Sequence, residues 1–322
     1  MKVYLVVRVH GLIQHLLEVE DYLSLTQGTL TSKITKEYGE LFKEGIKLNE
    51  SLKIISRKFI ERVNFLMSIT SSPSYSTFFR AFLNRIELEN IKAKLRLLHG
   101  RPFLKALPYY PYEWFLPLSD LLRISSLSGF IEVLSKTPYG LDLKKLQELK
   151  KEVKLELLEA CLDSSYYHYF RRISKKVDRN VKKLVEYETT LKFVYWLSML
   201  GEESVLDAIN NGLLRGLALF PSKKSISEEM FRKAVDELLS DVNFSYASLQ
   251  EKMTLDTLQT LYKAYLEKTR AVALKNELSF AYVYYYLLLC ELEMRNLIKI
   301  IVGKWLELPR KTILDTLILL QP

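Results

Sequence analysis

NRIELENIKAKLRLLHG, residues 84–100, comes back in altered form as CELEMRNLIKIIVGK, residues 290–304. Superimposing Asn90 on Asn296 sets Glu87 over Glu293, Leu83 over Leu289, Ile86 over Leu292 and Ile91 over Leu297. Each stretch closes near a glycine, Gly100 or Gly303, and is soon followed by a Leu-Pro pair, Leu107-Pro108 or Leu308-Pro309. A fainter copy, EYETTLKFVYWLSMLG (186–201), lies between them, with Glu186 or Glu188 at the glutamate position and Thr190 where asparagine would fall. Asn90 to Thr190 is 100 residues, and Thr190 to Asn296 is 106. Self-similarity at a fixed long period marks a copied supersecondary unit.

A second marker keeps the same beat. Tyr38-Gly39 and Tyr139-Gly140 are 101 residues apart, and in the third copy the marker fades to somewhere near Phe244. Two markers with one period imply three helical modules, set at residues 1–107, 108–205 (degenerate) and 206–322 and packed as one unit.

The fold class that follows is all-α. With 11 glycines and 9 prolines in 322 residues, β-turns are starved and long helices on short connections are favoured. Helical periodicity runs over 19–26, 34–43, 49–70, 75–99, 117–135, 142–161, 164–178, 181–200, 203–218, 227–240, 247–269, 270–303 and 309–320. The apolar stretch VYLVVRV (3–9) has no second strand to pair with and is assigned to a helix start. It is too short for a secretory h-region and carries Arg8. LPYYPYEWFLP (107–117), with three prolines, cannot be regular helix. The longest apolar run, Leu278 to Cys290, falls short of the roughly 20 residues a membrane span needs, and so reads as a buried core helix.

Helical geometry puts Asn90 in one stripe with Phe79, Leu83, Ile86 and Leu97, and Asn296 among Leu289, Leu292 and Ile300. A buried amide must find partners, and between packed helices it can bond the backbone end of a neighbour. Glu87, Glu188 and Glu293 sit near these positions, and Glu87 and Glu293 can meet an arginine from an adjacent module. Without a supporting histidine, metal ligand or nucleophile, these carboxylates read as packing devices rather than catalysts.

No phosphate loop, GxGxxG, HExxH, CxxC or GxSxG motif occurs, and the histidines His10, His15, His99 and His168 lack metal-ligand spacing. No catalytic, cofactor-binding or metal residues are therefore assigned. Cys161 and Cys290, both inside helical patterns, point to a reducing compartment. The formal net charge of +9 favours an acidic partner. Its densest cluster, Arg171, Arg172, Lys175, Lys176 and Arg179, is a candidate basic interface; its bland alternative is a solvated helix face. Tyrosine runs at 166–169 and 282–286 could stack bases, though such runs are more often core.

The chain resembles the C-type stalk component of archaeal-type (A-type/V-type) ATP synthases, the counterpart of the d-type component of the vacuolar proton pump. The carrying residues are Tyr4-Leu5 with Arg8, Asn84 to Gly100 with Arg101-Pro102-Phe103, Leu134 to Gly140 (LSKTPYG) and Tyr286 to Pro309. The likeness runs in order along essentially the whole chain. It implies a funnel of three helical modules with pseudo-threefold symmetry, peripheral on the cytoplasmic face of the cell membrane. It further implies a non-catalytic central-stalk socket that links the shaft subunits to the membrane proteolipid rotor ring and transmits torque. Anionic lipid head groups are a further expected partner, with no nucleic acid, cofactor or small-molecule substrate. Thr189-Thr190 departs from the family's asparagine and puts the equivalent hydrogen bond in doubt. A basic helical adaptor and a nucleic-acid-binding scaffold are the alternatives.

Overall fold

Few glycines and prolines leave the chain few places to turn, and long helices are the result. A computed structural model describes residues 2–101, 107–148, 154–218, 227–240, 255–275 and 278–320. Among them every regular element is helical: fifteen α-helices and two short 3-10 turns. The order is α1 (Lys2–Ile13), α2 (Val19–Gln27), α3 (Ser32–Tyr38), α4 (Leu48–Ser68), α5 (Pro73–Leu98), α6 (Leu118–Arg123), α7 (Leu127–Leu134) and α8 (Leu141–Glu148). There follow α9 (Leu155–Ser174), α10 (Arg179–Leu200), α11 (Glu202–Asn210), α12 (Glu228–Ser240), α13 (Leu255–Lys275), α14 (Phe280–Trp305) and α15 (Arg310–Thr316). The 3-10 turns, Gly39–Phe42 and Pro138–Gly140, fall on the two Tyr-Gly markers. The third marker, near Phe244, lies outside the described residues.

Two compact units divide the chain. The first comprises Met1–Phe79, Ala106–Tyr112 and Leu266–Pro322, and the second Arg80–Lys105 and Glu113–Tyr265. In the first, α1, α2 and α4 all pack on α14, and α15 folds back on it. Tyr284, Tyr286, Leu287 and Leu288 of α14 are buried there, as a core helix requires, whereas Leu278 precedes the helix and is exposed. Phe78 and Tyr75 of α5 meet Phe280 edge-on and stacked, centroids 5.4 and 4.4 Å apart. The second unit is built on the α9–α10 pair, with α8 and the Pro138–Gly140 turn against α9 and α11 against α10.

Several expected boundaries move, each for a local reason. The pattern at 117–135 is two helices, because Ile124 is extended and Ser126 caps α7 by accepting from the Gly129 N–H. The break expected near 162–163 is absent: α9 runs through it, holding Leu162 and Asp163 buried. The pattern at 203–218 ends at Asn210, where Gly212 (φ 78°) and Leu214 (φ 57°) reverse the chain. The junction placed at 269–270 lies later, where Ser279 caps α14 by accepting from the Ala281 N–H. Leu97, placed in the buried stripe with Asn90, is exposed in the last turn of α5.

Gly216, in the second unit, leaves no room for a side chain. A Cβ there would collide with the Ser164 carbonyl of α9, while the Gly216 N–H donates to Ser164 Oγ at 3.0 Å. Gly11, inside α1, has nothing within 4 Å of a built Cβ. In urea denaturation, Gly216→Ala is expected to cost about 1–3 kcal/mol through overpacking. Gly11→Ala should instead be neutral or stabilising by up to about 1 kcal/mol through helix propensity. Equal effects would mean the close approach is absent.

Candidate functional site

The repeated glutamates are all buried, and each carboxylate accepts a tyrosine hydroxyl. In the first unit Glu293, on α14, is 1% exposed. It accepts the Leu17 N–H at 2.5 Å, the Tyr38 hydroxyl and the Arg62 guanidinium. Burial opposes the charge on Arg62, but Glu293 beside it more than offsets this and strengthens its hold on the proton. Burial and then Glu293 push the Tyr38 hydroxyl well above its ordinary range, so it stays a donor. Nearly one helical turn on, Asn296 Nδ2 donates to the Ile318 carbonyl (2.9 Å) and Oδ1 accepts the Ile318 N–H (3.2 Å). This fixes the segment after α15 against α14 as a two-point amide pair.

In the second unit Glu87, on α5, solves the same problem differently. Its Oε1 accepts three successive N–H groups, from Trp114 (3.0 Å), Phe115 (2.8 Å) and Leu116 (2.9 Å), and its Oε2 accepts the Tyr139 hydroxyl at 2.5 Å. The proline-rich 107–117 stretch cannot use these N–H groups in a helix, and the carboxylate collects them. Burial outweighs the four hydrogen bonds and pushes the Glu87 carboxyl above its ordinary value. Asn90 is buried at the same offset.

The middle copy is resolved in favour of Glu188, which is 6% exposed; Glu186 is half-buried and lies 3.7 Å from Lys182. Glu188, on α10, accepts Tyr167 (2.9 Å) and Tyr265 (3.3 Å) hydroxyls and the Arg85 guanidinium at 2.8 Å. Thr190 bonds back to the Glu186 carbonyl of its own helix at 3.2 Å, so it does not reach a neighbour as Asn296 does.

Sequence reasoning placed the glutamates and the Tyr-Gly pairs but did not join them. Tyr139 reaches Glu87, 52 residues behind it, and Tyr38 reaches Glu293 near the C-terminus. Their common 101-residue period carried that signal, because two markers sharing one period can be partners. Arg62, Arg85 and Tyr265 had no such signal. Nor did a second buried cluster, in which Asp163 binds Lys92 (2.5 Å), Lys192 (3.1 Å) and Trp196 Nε1 (2.8 Å). Burial would raise the Asp163 carboxyl, but the two lysines hold it below its usual range.

The basic run divides. Arg172, Lys175, Lys176 and Arg179 are exposed, whereas Arg171 turns inward and donates to the Gly216 carbonyl at 3.3 Å. Among the described residues no group of three or more His, Cys, Asp or Glu side chains could hold a metal ion. Among them, too, no helix is long and apolar enough to cross a membrane.

A family model described as the ATP synthase (C/AC39) subunit matches residues 5–316. No curated protein matches the chain.

Two outcomes test the glutamate sites. Glu293→Ala leaves Arg62 with only Glu37, 3.5 Å away, and strips the Leu17 N–H and Tyr38 hydroxyl of their acceptor; it is expected to cost about 3–5 kcal/mol, against about 1–2 kcal/mol for Tyr38→Phe. Because the folded-state carboxyl of Glu87 is raised, the stability it contributes is present below its unfolded value and lost as pH rises through the folded one. Urea curves at pH 4, 6 and 8 should therefore show Glu87→Gln improving relative to the parent as pH rises. A constant difference would contradict the raised carboxyl.

Proposed function

The chain belongs to the ATP synthase (C/AC39) subunit family of the A/V-type rotary ATP synthases, and on that premise we propose that it is the central-stalk socket of the motor. In this reading it seats the rotating shaft, rests on the membrane proteolipid ring and passes torque between them without catalysis of its own. Its place is peripheral, on the cytoplasmic face of the membrane. The observation that carries the reading is the family match, which spans residues 5–316 with no part of the repeat left out.

The geometry supports it in three ways. A torque coupler must not shear internally, and each buried glutamate ties its long helix to side chains or backbone distant in sequence. The three glutamates and their tyrosines support division into modules at 1–107, 108–205 and 206–322. Tyr38 of the first module serves Glu293 of the third, as Tyr139 of the second serves Glu87 of the first, a head-to-tail pairing that suits pseudo-threefold closure into a funnel. Exposed apolar side chains are also available for partners. Trp305 (56%), Leu306 and Leu308 project from the turn after α14, beside Lys304, Arg310 and Lys311, and suit the ring or its anionic lipids.

Lys175, Lys176 and Arg179 then face an acidic protein surface. A pull-down of shaft subunits by the whole chain should succeed at 0.1 M salt and weaken severalfold at ~0.5 M, where the Debye length has shrunk to several ångströms. Lys175→Glu with Lys176→Glu should mimic the high-salt result. Capture that ignores both salt and charge reversal would refute the electrostatic contact. An open superhelix by small-angle scattering would favour the adaptor reading over the funnel.

A further inference from the structure

The turn after α11, NNGLLRG (210–216), gathers cations from three directions. Lys145 of α8 donates to the Gly212 carbonyl at 3.0 Å. Arg171 of α9 donates to the Gly216 carbonyl at 3.3 Å, and its Nε is buried with no partner among the described residues. The Arg215 guanidinium lies against Gly212, its Nη2 3.1 Å from where a Cβ would stand. His168 lies against Gly216, its Cβ 3.0 Å from the corresponding point there, and Arg172 follows one helical turn later on α9.

The Gly212 and Gly216 carbonyls engage Lys145 and one nitrogen of Arg171 but carry no formal charge to neutralise them. Among the described residues none of Lys145, Arg171, Arg172 and Arg215 has a carboxylate within ion-pair distance. Two acids stand nearby. Asp142 of α8 is 1% exposed and engaged by the Leu214 N–H at 3.0 Å, and burial holds its carboxyl above the usual range. Glu186 of α10 lies 3.7 Å from Lys182. The concentration of charge is felt by His168, whose imidazole is held below its ordinary value by partial burial and then by Arg172 and Arg171.

The turn departs from ordinary backbone geometry at two positions. Gly212 and Leu214 both adopt positive φ, 78° and 57°, and Leu214 does so without the freedom of glycine. The strained turn presents the Gly212 and Gly216 carbonyls toward α8 and α9, and so draws Lys145 and Arg171 together. His168, Arg172 and Arg215 stay exposed at its rim. A compact multivalent anion could accept from several of these donors at once, whereas an extended acidic peptide would spread its charges beyond them.

We infer that the 212–216 turn, with Lys145, His168, Arg171, Arg172 and Arg215, forms a binding site for a phosphate group, borne by a soluble phosphate compound or by a lipid head group. This goes beyond the stalk role and does not need it. The site is tested on the isolated chain, so its failure leaves that role standing.

The experiment follows the four histidines by NMR in the whole chain, with His168→Gln assigning the resonance. Inorganic phosphate is expected to raise the titration midpoint of His168 by about one pH unit, a tenfold stabilisation of the imidazolium. Chloride at matched ionic strength should raise it much less. The exposed substitutions Arg172→Gln and Arg215→Gln should each reduce the phosphate response without unfolding the chain, as far-ultraviolet circular dichroism would verify. A flotation arm separates the sources: capture by phosphatidic acid vesicles, but not phosphatidylcholine vesicles, with no response to inorganic phosphate, assigns the group to lipid. An equal response to chloride, no response in either arm, or a response to polyglutamate alone would overturn the inference.

Discussion

A carboxylate sealed inside helical packing, held by a tyrosine hydroxyl, is the constraint on which both units turn. Removing such a group from water is costly, so wherever it survives the surrounding chain must supply donors. That requirement dictates much else. Tyr38 ends α3 just before one 3-10 turn and Tyr139 lies within the other, and the donors they give to Glu293 and Glu87 fix those segments against α14 and α5. Trp114, Phe115 and Leu116, with no helix to consume their N–H groups, are ordered around Glu87.

The same need is met by two different chemistries, and the difference is electrostatic. Glu293 and Glu188 each have an arginine, Arg62 or Arg85, at hydrogen-bond distance. Among the described residues Glu87 has only neutral donors. Four hydrogen bonds satisfy its oxygens without supplying a compensating charge, and burial then decides the direction in which its proton affinity moves. The glutamates thus share burial and a tyrosine donor but differ in whether an arginine or a nest of backbone amides completes the site.

How much of this the sequence announced depends on which property carries a period. Helical class followed from starved turns and apolar spacing, and the glutamate and asparagine positions from the repeat. Thr190 put the equivalent bond in doubt, and its hydroxyl in fact bonds its own preceding turn. What stayed hidden has no period. Arg62 and Arg85 occupy unrelated positions, and the bond from Tyr38 to Glu293 joins residues 255 apart. Boundaries failed where one polar side chain decides them: the gap left between 161 and 164 is filled by helix, with the Asp163 carboxylate buried among Lys92, Lys192 and Trp196. The basic run failed similarly, because sequence cannot tell Arg171, drawn inward by a carbonyl, from its exposed neighbours.

Retaining buried charge where apolar packing would be at least as stable needs a reason, and specificity of register is the best attested one. A helix such as α14, apolar on nearly every side, could slide or rotate among its neighbours at little cost if only apolar contacts held it. Glu293 and Asn296 remove that freedom, because a shift of one residue would strand a carboxylate and an amide away from Leu17, Tyr38, Arg62 and Ile318. Glu87 acts likewise on α5, and Glu188 on α10. For a part proposed to carry torque, resistance to slip matters more than total stability, and polar staples resist slip because their energy falls away within an ångström of displacement.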